Sequence, residues 1–338
     1  MKPDMRVQLA GIELVNPIIA ASGTFGYGPE FEEVVSLRRI GGLVTKGISR
    51  KPMAGNQAPR LIETAAGMIN AIGLQNIGVE RFVADKLPPL RHYPSCAVIV
   101  NVFGYQVEDY VAVIEQLNEA EGIAAYELNA SCPNTRHGGI TFGTDASLLS
   151  DLVSQAKKIA VRPVIVKLSP NVTSIAAMAR AAADAGADAL SLINTFLSLA
   201  IDVETRRSRL ANITGGLSGP AIKPIAVRMV WEAARAVKIP IIGLGGIATP
   251  EDAVEFLLAG ATAVQVGTAS YADPRATERI AQGLEQWCSR HHVARVAELI
   301  GGLDVSPLPG PVAAPVQPAP AAVAESEASD TADVKTPH

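Results

Sequence analysis

Short apolar runs recur along the chain, with longer amphipathic segments between them. The runs predict strands at Asn16–Ala20, Gly42–Lys46, Ala97–Phe103, Ala124–Asn129, Pro163–Leu168, Ala189–Asn194, Pro240–Leu244 and Ala263–Gly267. PVIVKL and PIIGL lack polar alternation, which predicts strands covered on both faces, as in a parallel sheet. Helical patterns fill the intervals. ADAGADAL (Ala183–Leu190) and LLAGATAVQVG (Leu257–Gly267) repeat one join: a helix end, a glycine, then a strand. Glycine is favoured just past a helix C-terminus. Eight strand–helix units predict an α/β fold, a (β/α)8 TIM barrel. A doubly wound open sheet is the structural alternative.

Two segments fall outside this pattern. VQLAGIEL (Val7–Leu14) alternates around Ala-Gly and predicts an N-terminal β-hairpin that closes the barrel's N-terminal end. RLIETAAGMINAIGLQN (Arg60–Asn76) is an extra excursion between the second and third strands. Barrel chemistry sits in loops at the strands' C-terminal ends, so this excursion is a candidate site wall. From Ser306 the chain is Pro/Ala-rich, then acidic and polar. Such a segment cannot bury enough apolar surface to offset its ordering entropy. The expected organisation is a barrel over residues 1–305 and a disordered tail over residues 306–338.

Composition narrows the function classes. The 338 residues are 48% hydrophobic but only 4% aromatic, so Val, Ile, Leu and Ala must fill the core. A net charge of −4 gives no sign of the basic face that nucleic-acid binding needs. No apolar run approaches the roughly 20 residues that span a bilayer. The opening MKPDMRVQLAGIEL has no signal-peptide core, so a cytoplasmic location is expected. The three cysteines, Cys96, Cys132 and Cys288, are scattered and include no CxxC pair. That argues against a disulfide framework, an iron–sulfur cluster or a Cys-rich zinc site in this chain.

Polar residues gather at the predicted strand ends. Ser22 follows the first strand, Lys46-Gly47 the second, Asn101 the third and Asn129 the fourth, with Cys132 just beyond. Lys167 is on the fifth strand, Asn194-Thr195 ends the sixth, and the excursion offers Asn70. A single asparagine is explained by its preference for turns. Four at one mouth suit a flat ligand edged with alternating N–H and C=O groups, because each amide both donates and accepts. Lys46 and Lys167 stand in apolar strands, where an unpaired ammonium is costly. Either an anionic ligand or flavin edge meets them, or a carboxylate from a distant part of the chain does. Cys132 itself reads as a buried small hydrophobe, a nucleophile or a base.

Glycines supply a phosphate site. ITGGLSGP (Ile213–Pro220), PIIGLGGI (Pro240–Ile247) and VGTA (Val266–Ala269) are candidate backbone N–H cradles. The last two follow strands seven and eight, the usual phosphate position of this fold. GLGGIA (Gly243–Ala248) also fits the dinucleotide fingerprint, but AVQVGTA, about 20 residues on, lacks the required acid. A mononucleotide phosphate is therefore expected, and FMN meets these demands best. Two rivals stay open: a phosphate-binding barrel isomerase or lyase with a Schiff base on Lys46 or Lys167, and a catalytically silent binding barrel.

At these residues the chain resembles the dihydroorotate dehydrogenases over Val7 to about Gly302. The motifs that carry the resemblance are NPIIAASGTFGYG, GGLVTKGI, NAIGLQN, ELNASCPN, VKLSPNV, LINT, NITGGLSGPAIKP, IIGLGGI and VQVGTA. The resemblance implies an FMN-containing barrel that oxidises dihydroorotate to orotate. It implies FMN contacts for Ser22, Lys46, Gly47, Asn101, Asn129, Lys167, Ile193, Gly219, Gly245, Gly246, Gly267 and Thr268. It implies substrate contacts for Lys46, Asn70, Ala71, Ile72, Gly73, Leu74, Asn129, Asn194 and Thr195, and the role of catalytic base for Cys132. Membrane-bound members resemble this chain less and use serine as base, so Cys132 marks the soluble class 1. GTFGYG, NTRHGG and TRRSRLANITGGLSGPAIKP resemble its NAD-linked branch, class 1B. That branch implies a partner subunit carrying FAD and a [2Fe–2S] cluster, in a heterotetramer of two chains of each kind. A related flavin barrel acting on another dihydropyrimidine is the nearest alternative.

Overall fold

All eight predicted runs form strands, and the strands close on one another. The structure, a computed structural model, describes residues 2–130 and 142–306. In chain order the strands are β1 (Val7–Leu9), β2 (Ile12–Leu14), β3 (Ile18–Ala20), β4 (Gly42–Val44), β5 (Leu61–Thr64), β6 (Gly67–Asn70), β7 (Ala97–Val102) and β8 (Ala125–Asn129). They continue as β9 (Val164–Lys167), β10 (Ala189–Leu192), β11 (Phe196–Leu199), β12 (Ile201–Asp202), β13 (Arg207–Ser208), β14 (Thr214–Ser218), β15 (Ile241–Leu244) and β16 (Ala263–Val266). Strands β3, β4, β7, β8, β9, β10, β15 and β16 pair in that order as a closed parallel barrel, β16 returning to β3. The (β/α)8 expectation holds and the open-sheet alternative does not.

The barrel strands are buried nearly end to end, as strands covered on both faces must be. Amphipathic helices cover the outside, including Val107–Asn118, Ala146–Ile159, Ile175–Asp184, Lys223–Ala236, Pro250–Leu258 and Ala276–Arg290. Their starts are capped locally. The Asp145 carboxylate accepts from the Ser147 and Leu148 N–H groups, and the Ser174 hydroxyl accepts from that of Ala177. Thr249 and Asp252 form a reciprocal capping box. The hairpin β1–β2 buries Val7, Leu9 and Leu14 and leads into the N-terminal end of β3.

Of two features outside the repeat, one refines the sequence reading and the other differs from it. The excursion Arg60–Asn76 is partly sheet. Its strands β5 and β6 join β14 and β11 in a four-stranded antiparallel sheet ordered β11-β14-β6-β5. ITGGLSGP is therefore mostly strand β14, not a glycine loop. Gly215 and Gly216 sit there because the sheet leaves no room for side chains. A Cβ on Gly215 would lie 2.7 Å from the Asn70 carbonyl, and one on Gly216 would lie 2.0 Å from Thr195 Oγ1.

The described residues up to Leu303 group as one compact unit. The expectations for Cys132 and for a disordered tail beyond Ser306 lie outside the described residues. No helix among the described residues is long and apolar enough to cross a membrane.

The tightest backbone approach is where β3 and β4 begin. Gly41 N–H donates to the Ile18 carbonyl at 2.8 Å, and a Cβ on Gly41 would lie 1.9 Å from the Asn16 carbonyl oxygen. Backbone cannot swing aside as a side chain can. Gly41→Ala is expected to cost roughly 3 kcal/mol or more, lowering the melting temperature by roughly 5–10 °C. A thermal melt followed by circular dichroism checks this.

Candidate active site

Eight parallel strands deliver eight C-terminal ends to one mouth, and one cavity opens there. Ser22, Lys46 and Gly47 reach it from the ends of β3 and β4, Asn101 from β7, Asn129 from β8 and Lys167 from β9. Ile193, Asn194 and Thr195 follow β10, Gly245 and Gly246 follow β15, and Gly267 and Thr268 follow β16; all line the same cavity. The four-stranded sheet contributes a wall, presenting Asn70, and Ile72, Gly73 and Leu74 just past it also line the cavity. Asn70 Nδ2 donates to the Gly216 carbonyl at 3.4 Å, which ties the wall to β14.

Two expected positions lie elsewhere. Ala71 is fully buried with Ile69 and Leu210 in a small apolar cluster behind the wall. Its N–H donates to the Arg60 carbonyl and its own carbonyl accepts from Asn56 Nδ2. Gly219 lines an adjoining cavity that shares Gly246 and Thr268 with the first.

Charge distinguishes the cavity. Its described lining contains Lys46, Lys167 and no carboxylate. The two lysines are in different situations. Burial pushes the Lys46 ammonium below the usual lysine range, and the nearby Arg60 charge adds to the shift. Lys167 instead meets a carboxylate that the sequence did not place near it. Its Nζ lies 3.7 Å from Glu127 Oε1 and donates to Ser22 Oγ at 3.1 Å. Lys167 therefore does have a carboxylate partner from a distant part of the chain.

Glu127 is fully buried and collects donors from several strands. Asn101 Nδ2 donates to its Oε1 at 2.8 Å. Ser191 Oγ and Gln265 Nε2 donate to its Oε2 at 2.8 and 2.7 Å. Higher in the cavity, Asn194 Nδ2 donates to Asn129 Oδ1 at 3.3 Å. Tyr110 donates from its hydroxyl to the Asn129 carbonyl at 2.9 Å, fixing the end of β8. Thr268 Oγ1 donates to Ser218 Oγ at 2.9 Å.

This donor set fits FMN. Gly245 and Gly246 have φ of 130° and 81°, a backbone that suits glycine. With Gly267 and Thr268 they line the cavity past the ends of the last two barrel strands, where backbone N–H groups would be available to a single phosphate. Two ammonium groups face the rest of the cavity. Gln265 Oε1 is buried without a hydrogen-bond partner, an acceptor left over in a residue that lines the cavity.

Gln265 and Glu127 are the residues that sequence reasoning missed. The signal was present: AVQV and AYELN each put a polar residue inside an apolar strand, the same pattern that singled out the lysines. The expectation for Cys132 lies outside the described residues. The other two cysteines are both buried and neither lines the cavity. Burial pushes the Cys96 thiol up to about 12 and also raises that of Cys288.

Comparison with known proteins agrees with this geometry. The dihydroorotate dehydrogenase family profile matches residues 4–287. A Pelobacter propionicus protein named the catalytic subunit of dihydroorotate dehydrogenase B (NAD(+)) is 57% identical over 304 residues, covering 90% of this chain and 100% of that protein. A Geobacter sulfurreducens protein of the same name is 58% identical, covering 90% and 99%. A Solibacter usitatus protein, provisionally named dihydroorotate dehydrogenase A (fumarate), is 58% identical over 303 residues, covering 90% and 99%. A match of this length, on a barrel whose strand ends carry the family's motif residues into one cavity, makes the chain a member of the dihydroorotate dehydrogenase family.

Proposed function

We propose that this chain oxidises (S)-dihydroorotate to orotate in de novo pyrimidine biosynthesis, in the cytoplasm, with FMN bound in the cavity. One observation carries this reading beyond family membership. Lys46, Lys167 and the amides of Asn70, Asn129 and Asn194 line one cavity whose described lining holds no carboxylate. Dihydroorotate is a small ring edged with N–H and C=O groups and bearing a carboxylate. Side-chain amides complement such an edge in both directions, and an ammonium balances the carboxylate.

Substrate is held by Lys46, Asn70, Asn129, Asn194 and Thr195, against the wall of Ile72, Gly73 and Leu74. Ala71 shapes that wall through its backbone bonds. Ser22, Lys46, Gly47, Asn101, Asn129, Lys167, Ile193, Gly245, Gly246, Gly267 and Thr268, with Gly219 beside them, are the residues that would hold FMN. FMN, when bound, supplies the acceptor for the hydride lost from C6 of the substrate. Cys132, three residues past Asn129, takes the proton from C5. A free thiol titrates near pH 8.5, close enough to neutrality for a general base. Loss of the two hydrogens leaves the C5–C6 double bond of orotate.

The electrons leave for NAD+ through a partner subunit with FAD and a [2Fe–2S] cluster, in a heterotetramer of two chains of each kind. Two facts support a second subunit. Relatives carry the name catalytic subunit, and Gly245 and Gly246 of the dinucleotide-like GLGGIA stretch are already part of the cavity. The fumarate-linked name of one relative supplies the alternative acceptor. The chain purified with its partner is expected to reduce NAD+ with dihydroorotate. Turnover of fumarate by the chain alone, at the rate dihydroorotate reduces the flavin, would assign it to the other branch.

Cys132→Ala is expected to keep FMN while slowing flavin reduction by dihydroorotate by at least about 100-fold. Stopped-flow absorbance measures it, and reduction at the wild-type rate would remove Cys132 as the base. Cys132→Ser retains partial activity, mainly at higher pH. Lys46 must be charged to hold the substrate carboxylate, and its folded-state pKa is lowered. The fall of kcat/KM at alkaline pH should therefore begin below the range of an ordinary lysine. Lys46→Arg should move that fall upward, beyond the measured pH range.

A further inference from the structure

Glu127 does not line the cavity, yet it bonds to several residues that do. Its carboxylate has no exposure, so it must be neutralised from inside the barrel. Four groups do this: the Lys167 ammonium, the Asn101 and Gln265 amides and the Ser191 hydroxyl. Lys167, Asn101 and Gln265 line the cavity. We propose that Glu127 is a positioning residue and counter-charge that sets how electropositive the cavity floor is, and thereby how readily bound flavin accepts negative charge. This rests on the FMN reading above.

The consequences follow from the bond directions. With its Nδ2 committed to Glu127, Asn101 keeps Oδ1 free to serve as an acceptor. With its Nε2 committed, Gln265 is left with the partnerless Oε1. The carboxylate thus decides the orientation of two amides. It also offsets the charge of Lys167, so that of the two lysines at the cavity Lys46 is the one without a carboxylate partner among the described residues. Replacing Glu127 by its isosteric amide removes the charge and keeps the shape. The new amide oxygen faces Asn101 and Lys167. The new amide nitrogen faces Ser191, whose hydroxyl can rotate to accept, and Gln265, which can flip to offer Oε1.

The test uses the full chain loaded with FMN and reads sulfite binding by flavin absorbance. Sulfite addition puts negative charge on the ring, so its affinity reports the local positive potential. Glu127→Gln is expected to bind sulfite roughly tenfold tighter or more, as loss of a nearby buried charge implies. The flavin potential should rise with it, by about 30 mV per tenfold for two electrons. Ser191→Ala removes one hydrogen bond from the same carboxylate and keeps its charge, so it should stay within about twofold of wild type. Glu127→Gln that keeps FMN and wild-type sulfite affinity overturns the proposal, as does Ser191→Ala with an equal shift. Should Glu127→Gln fail to fold, Lys167→Gln is compared with the double variant Glu127→Gln/Lys167→Gln, whose floor is neutral. The double variant should bind sulfite roughly tenfold tighter than Lys167→Gln, and equality overturns the proposal. A wild-type chain that takes up no FMN overturns the FMN reading and this proposal together. A yellow wild type with an unresponsive Glu127→Gln overturns this proposal alone.

Discussion

A carboxylate sealed inside a parallel barrel organises this molecule. Burying one charge without compensation is prohibitively costly, so Glu127 recruits Lys167, Asn101, Ser191 and Gln265 from β9, β7, β10 and β16. Each donor comes from a different strand, so the strands must hold their relative register for the set to be complete. Breaking such a pair by removing one partner is far worse than removing both. The polar layer therefore ties barrel integrity to the floor of the cavity above it.

Parallel pairing then dictates where chemistry can happen. With every strand pointing the same way, all C-terminal ends open on one side, and their loops need only be short to meet. The antiparallel sheet β11-β14-β6-β5 adds what a bare barrel lacks, a wall. It brings Asn70 to the same cavity as the asparagines of β8 and the β10 loop. Gly215 and Gly216 allow its strands to lie close to the Asn70 carbonyl and to Thr195.

The two lysines show how tertiary context divides one residue type between tasks. Lys167 is bound to Glu127 and Ser22, and its charge is shared with the protein. Lys46 is desolvated, with Arg60 as its charged neighbour. An anionic ligand gains most beside Lys46, because there it relieves a cost that the protein has not already relieved. A substrate carboxylate on Lys46 and a flavin near Lys167 is the division of labour that this asymmetry favours.

Much of this was legible along the chain. Apolar runs without alternation, separated by helical stretches, specify a parallel sheet covered on both faces; eight such units point to a barrel, and the pairing of β16 with β3 closes it. The polar residues that end those runs specify which side chains reach the mouth. Three things were decided only in three dimensions. The glycines of ITGGLSGP became a strand, because pairing with β6 and β11 supplies hydrogen bonds that local sequence does not reveal. Ala71 sits behind the wall, because just past the end of β6 it packs with Ile69 and with Leu210, which is remote in sequence. The partner of Lys167 is Glu127, forty positions away in sequence but on the neighbouring strand. Strand order and register bring them together, and neither is written in the residues that flank either one.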